Sequence, residues 1–158
     1  MWNMLDELVL AATIANSDGL DVLDDLVVTR RLLESDMANV AARHADEGTR
    51  RQLALLVDDP VAYARQDRAF HDTIMRASGN RIARAVVRAL ESQVVNTSRY
   101  MGPPRPDLCV AANLGHRTID ERIDAHDPEG AAEAMFAHIT EAWIVRRGEP
   151  GAPRRLRR

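Results

Sequence analysis

The sequence of 158 residues contains no lysine; all 21 basic residues are arginine. A GC-rich source genome accounts for that bias, so no functional argument is drawn from arginine chemistry as such. Cysteine occurs once, as Cys109, which excludes an internal disulfide. No apolar run approaches the roughly 18 residues that a membrane span needs. The N-terminal stretch MWNMLDELVLAATIANSDG has no basic region ahead of an apolar one and carries acids within it, unlike a signal peptide. The expected location is the cytoplasm, without a membrane partner. Strand-like alternation and internal repeats are missing too. A net charge of −3 and a pI near 5.9 argue against a surface devoted to nucleic acid.

What is present is helical periodicity. Apolar residues recur every three or four positions in each long segment, and Gly and Pro fall between the segments, so the expected fold class is all-α. With 46 % hydrophobic residues the chain supports one core and is too short for two ordinary domains. The first long helix is expected from about Leu20 to His44, with Leu23, Leu26, Val27, Leu33, Met37, Val40 and Ala41 on one stripe. A short helix over Arg50 to Val57 follows. Asp58, Asp59 and Pro60 then open a helix that Ser78-Gly79-Asn80 ends near Ala77. The next begins at Arg81 and carries Ile82, Val86, Ala89, Leu90 and Val94 inward, until Gly102-Pro103-Pro104-Arg105-Pro106 forces a loop. Two more span roughly Asp107–Ala125 and Glu129–Val145, joined at Asp127-Pro128. The segment RRGEPGAPRRLRR at the end of the chain reads as a disordered, solvated Arg-rich tail, over residues 147–158.

Several polar residues sit where this periodicity demands apolar ones. Asp67 and His71 are spaced i, i+4 on the face that also carries Tyr63, Phe70 and Ile74. His138 falls inside the stripe Ala131, Ala134, Met135, Ile139, Ala142 and Trp143. His116 shares a face with Ala112, Ile119 and Ile123. His116 and His138 each lie eleven residues from Asp127, so a tight antiparallel hairpin puts both about 16 Å from the bend, facing each other. A lone inward histidine is ordinarily a satisfied core residue. One carboxylate and three imidazoles converging from facing helices is the pattern of a metal site, and nitrogen and oxygen donors without thiolate suit Zn²⁺ or Ni²⁺. His44 and His126 fall at helix C-termini, where an imidazole complements the dipole, and read as structural. Arg30 interrupts the first stripe. It either pairs with Glu34 one turn on or reaches into the bundle to grip a carboxylate in a bidentate fork.

RRLLESDMANVAARHA, QDRAFHDTIMRASGN and HRTIDERIDAHDPEGAAEAMFAHITEAW resemble the opening helix, the most diagnostic stretch and the closing hairpin of the C-terminal effector-binding domain of GntR-type regulators of the FadR branch. The likeness covers about Leu20 to Trp143. It implies an antiparallel bundle of about six helices over residues 20–146, a divalent metal on Asp67, His71, His116 and His138, and a small organic acid held beside it by Arg30, with Asn80 matching a further family position at the ligand site. It also implies a homodimer. Two departures stand out: the segment between His44 and Tyr63 is short, and the family's N-terminal winged helix-turn-helix has no counterpart. MWNMLDELVL resembles the linker that follows that module, so residues 1–19 read as linker-like. The chain is then expected to be a truncated regulator, a mis-started product or a stand-alone sensor, reaching DNA only through the missing module.

The leading function is therefore a metal-dependent sensor of a small carboxylate. An ion held by one Asp and three neutral imidazoles stays net positive and short of ligands, which favours citrate- or lactate-like acids. A metal-dependent hydrolase or lyase is the second reading. It needs a general base near metal-bound water, and no His-Glu-x-x-His motif supplies one, so the chain is not expected to be an enzyme. The third is a structural dimerisation module with hydrogen-bonded core histidines.

Overall fold

The computed structural model describes residues 6–15, 19–57, 63–94 and 106–147, and these form seven helices. In chain order they are α1 (Glu7–Ala15), α2 (Gly19–His44), α3 (Glu47–Val57), α4 (Tyr63–Ala77), α5 (Arg81–Val94), α6 (Pro106–Asp124) and α7 (Pro128–Arg147). No strand occurs among the described residues, and none of their helices is long and apolar enough to cross a membrane.

Side-chain caps set most of the helix starts. Asp6 Oδ1 accepts from the amides of Leu8 and Val9 at 3.0 and 3.2 Å, and Asp46 Oδ1 from Thr49 at 2.7 Å. Asn80 Oδ1 accepts from Ala83 at 3.0 Å, and Asp127 Oδ1 from Gly130 at 2.9 Å. Each satisfies an amide that the first helical turn leaves without an intrahelical partner. Pro106 and Pro128 open α6 and α7, where a missing N–H costs nothing. Gly79 ends α4 at φ 71°, and its amide returns to Arg76 O at 3.0 Å. At the α6–α7 bend that left-handed position is taken by His126 at φ 52°, with Asp127 N bonded to Arg122 O at 2.9 Å. His126 Nδ1 donates to Ala42 O at 3.0 Å, tying the bend to the end of α2.

α2 is the central helix and packs on α7, α4, α6, α5 and α1, most extensively on α7; α6 and α7 form the antiparallel hairpin. Leu23, Leu26, Val27, Phe70, Ile74, Ile119, Ile123, Met135 and Trp143 make the core where they meet. Each large apolar side chain buried there contributes about 1.5–3 kcal/mol.

The linker-like segment includes α1, whose Leu10 is buried in the core. Two expectations are corrected. The short third helix starts at Glu47 rather than Arg50, because Asp46 caps it. The inward stripe of α5 is corrected in part: Leu90 is buried and Val86 packs against the core as expected, but Ile82 is 77 % exposed and Ala89 is exposed, and Ala83 and Val87 are buried in their place. Arg81, Arg84 and Arg88 recur at helical spacing and mark the outer face, but the apolar arc opposite is broad, and its buried part lies toward Ala83 and Val87, with Arg84 and Arg88 reaching for Asp72 on α4. Asp58-Asp59-Pro60, Gly102 to Arg105, the side chains of Tyr63 and Val94, and the tail beyond Arg147 lie outside the described residues.

Candidate metal centre

Asp67 and His71 occupy successive turns of α4, His116 lies on α6 and His138 on α7. One ligand atom from each lies within 4.8 Å of the others. His71 Nε2 is 3.3 Å from both His138 Nε2 and His116 Nε2. Asp67 Oδ1 is 3.5 Å from His116 Nε2 and 3.9 Å from His71 Nε2. The three imidazoles are buried; the Asp67 side chain, 34 % exposed, gives the cluster its opening to solvent.

Packing explains why the rings meet. His116 stacks on Phe70 with centroids 4.3 Å apart, and His71 meets the same ring edge-on at 6.0 Å. The hairpin brings His116 and His138 to one level, with centroids 4.5 Å apart. Gly115 permits that approach: a Cβ there would stand 2.5 Å from His138 Nδ1. A mid-helix glycine costs about 1 kcal/mol relative to alanine, and here it makes room for the imidazole.

Behind His71 stands Glu34, also buried. Glu34 Oε2 accepts from His71 Nδ1 at 2.6 Å, which leaves the Nε2 lone pair pointing into the cluster. Glu34 Oε1 accepts from Arg30 Nε at 2.7 Å, and Glu91 of α5 takes Arg30 Nη2 at 2.9 Å. Burial by itself would raise the Glu34 pKa, but the charges of Arg30 and His71 outweigh it and hold the carboxyl at about 2. Burial likewise opposes a charge on His71, and Glu34 overrides it, so the His71 pKa is raised. Burial and the neighbouring His71 hold His116 down at about 3. Burial, then His116 and His71, put His138 well below its usual value. Burial pushes Glu91 up.

The donor set fits a divalent ion. Bonds of about 2.0–2.1 Å at tetrahedral angles place ligand atoms about 3.3–3.4 Å apart. The two Nε2 pairs of His71, at 3.3 Å, match that spacing, as does Asp67 Oδ1 at 3.5 Å from His116 Nε2, while Asp67 and His71 at 3.9 Å stand a little wider. Two imidazoles are held neutral, as ligation requires, and the third has its far nitrogen on a carboxylate.

Asp67, His71, His116 and His138 are thus brought together. Arg30 is buried beside them, but its guanidinium already holds Glu34 and Glu91. Asn80 is exposed and caps α5, apart from the four. His44 ends α2 on the surface, and His126 braces the hairpin. Sequence reasoning placed Glu34 only as a partner of Arg30, and missed Glu91 and Gly115. Glu34 carried a legible signal, a second charge on the apolar stripe of α2. So did Gly115, an isolated glycine in a helix next to an inward histidine. Glu91 carried none.

Residues 25–141, which hold all six expected site residues, match the family model of the FCD domain. The chain belongs to this family. Similar to it is a "Putative L-lactate dehydrogenase operon regulatory protein" of Escherichia coli (strain K12), 29 % identical over 135 residues, covering 78 % of this chain and 51 % of that protein. A protein of the same description from Shigella flexneri gives the same figures. The FCD chain therefore spans about half the length of the curated relatives it matches.

Proposed function

We propose that this FCD domain is the effector-binding part of a bacterial transcriptional regulator, and that it senses a small carboxylic acid through a divalent metal, Zn²⁺ before Ni²⁺. The observation that carries the reading is the meeting of three buried Nε2 atoms with the half-open carboxylate of Asp67. His71 Nε2 stands 3.3 Å from the Nε2 atoms of both His116 and His138, with Asp67 Oδ1 3.5 Å from His116 Nε2. When bound, the ion supplies a fixed positive charge with coordination positions left over for an anion.

The chain's own residues define the rest of the pocket. His71 is oriented by Glu34, and Asp67 lies at the mouth. Arg30 is the second anchor for the acid, whose carboxylate takes the place of Glu91 on the guanidinium. Asn80 contributes by fixing the start of α5 and hence the placing of Glu91. A lactate- or citrate-like acid joins metal and Arg30 at once, in keeping with the relatives, which are described as lactate dehydrogenase operon regulators. The domain acts as a cytoplasmic, symmetric homodimer, supported by the exposed apolar residues Leu55, Val110 and Leu114. Sequence-specific reading of DNA falls to a winged-helix module outside these residues.

Elemental analysis of purified protein is expected to give about one divalent ion per chain. Calorimetry with L-lactate and citrate is expected to show heats that vanish on chelation and weaken in Arg30→Ala. A protein without metal that is indifferent to added Zn²⁺ or Ni²⁺ sinks the reading, and turnover of the acid by the metal-loaded protein replaces it with an enzymatic one.

A further inference from the structure

The α4–α5 hairpin separates charge in a way the metal centre does not use. Of the carboxylates on these two helices, Asp67 is turned into the metal cluster and Glu91 onto Arg30. Asp72 alone is left for the other side. Around it the helical period gathers Arg68 and Arg76 from α4 with Arg81, Arg84 and Arg88 from α5. Arg84 takes both Asp72 oxygens, at 2.9 and 3.1 Å. Arg76 and Arg88 each reach one oxygen at 3.4 Å. Their side chains stay 52 and 57 % exposed, and Arg68 and Arg81 are exposed as well.

Three guanidiniums therefore meet one carboxylate, with Arg68 and Arg81 exposed one turn away on the same two helices, in a chain whose net charge is −3. Asp72 draws the three to one point and satisfies only part of their hydrogen-bonding capacity, because each guanidinium carries five N–H donors. Arg76 also reaches Thr73 Oγ1 at 3.4 Å, and with more than half of the Arg76 and Arg88 side chains exposed, part of their donor capacity stays open to a second anion.

We propose that this face of α4–α5 is a docking surface for the phosphate backbone of double-stranded DNA, read without regard to sequence. Arg68 to Arg76 along α4 spans about 12 Å at 1.5 Å per residue. A duplex presents a charge about every 1.7 Å of its axis, dense enough to meet several guanidiniums at once. A single small phosphate spans only a few ångströms and cannot reach both ends of that row. A flexible acidic peptide has to be ordered first, at an entropic cost the duplex does not incur.

The test is fluorescence anisotropy of a labelled 20-base-pair duplex of arbitrary sequence, titrated with the full-length chain between 50 and 200 mM salt. Binding is expected to weaken steeply with salt, each phosphate contact adding about 0.9 to the logarithmic slope. Arg76→Gln/Arg88→Gln is expected to lower that slope by about 1–2 and the affinity at 50 mM at least tenfold. Arg43→Gln/Arg51→Gln removes the same charge elsewhere, serves as control for net charge, and is expected to change the slope by much less. Arg81→Gln supplies a second reading should the double variant fold poorly. The proposal is overturned if the duplex does not bind at 50 mM salt, if the control lowers the slope equally, or if the hairpin variants leave it unchanged. Polyglutamate competing as well as unlabelled duplex also overturns it, in favour of an acidic protein segment.

Discussion

Metal uptake by this domain is expected to release about one proton at pH 5.5, and the number follows from the electrostatics of the three imidazoles. A free imidazole of pKa about 6.5 is some nine-tenths protonated at that pH, so three unperturbed histidines closing on an ion give up nearly three protons. Here burial and the neighbouring rings hold His116 at about 3 and His138 well below its usual value, so both are already neutral. His71 alone is raised, by Glu34, and carries the proton that must leave its Nε2. Affinity should therefore climb about tenfold per pH unit below the His71 pKa and level off above it, because only the deprotonated ring ligates. Titration calorimetry in two buffers of different ionisation enthalpy counts the protons directly. Glu34→Gln removes what raises His71, so proton release should fall below one, and the lost orientation should cost about 10–100-fold in metal affinity. Release near three in the native protein, or an affinity in Glu34→Gln equal to the native one, refutes the reasoning.

Gly115→Ala should lower metal affinity by tenfold or more and destabilise the fold by about 1–3 kcal/mol, since the new Cβ meets the His138 ring at 2.5 Å; metal titration and thermal melting check it. The metal-free protein should lose stability from pH 6.5 downward toward 3. There the unfolded chain protonates His116 and His138 while the fold does not, at about 2–3 kcal/mol per pH unit for the pair; a flat denaturation midpoint over that range contradicts it. The raised His71 has the opposite sign: its contribution is complete below its unfolded pKa of 6.5 and fades as pH rises through the folded value. His138→Ala should abolish most metal binding and His44→Ala should spare it, because only the former points into the cluster; elemental analysis of both variants decides.

The all-α class, the placing of α2, α4, α6 and α7, and the convergence of Asp67, His71, His116 and His138 were all legible before any coordinates. The reason is local. An imidazole inside an apolar stripe declares its direction through the helical period alone, and equal spacing from a tight bend sets two such rings at one depth. α5 was legible only in part: Arg81, Arg84 and Arg88 mark its outer face, but the apolar arc opposite is broad, and which part of it is buried depends on the neighbouring helix, where Asp72 takes Arg84 and Arg88. α1 was read as linker, since nothing local reveals that Leu10 finds a place in the core. Arg30 shows the limit most clearly. Sequence left it between an ion pair with Glu34 and a carboxylate grip, and the folded chain adds Glu91, a partner 61 positions away that no spacing rule connects to it. Periodicity fixes which way a side chain points along one helix, whereas what it meets depends on how separate helices are laid against one another. For this protein the ligands belong to the first kind of information, and the charges that tune them to the second.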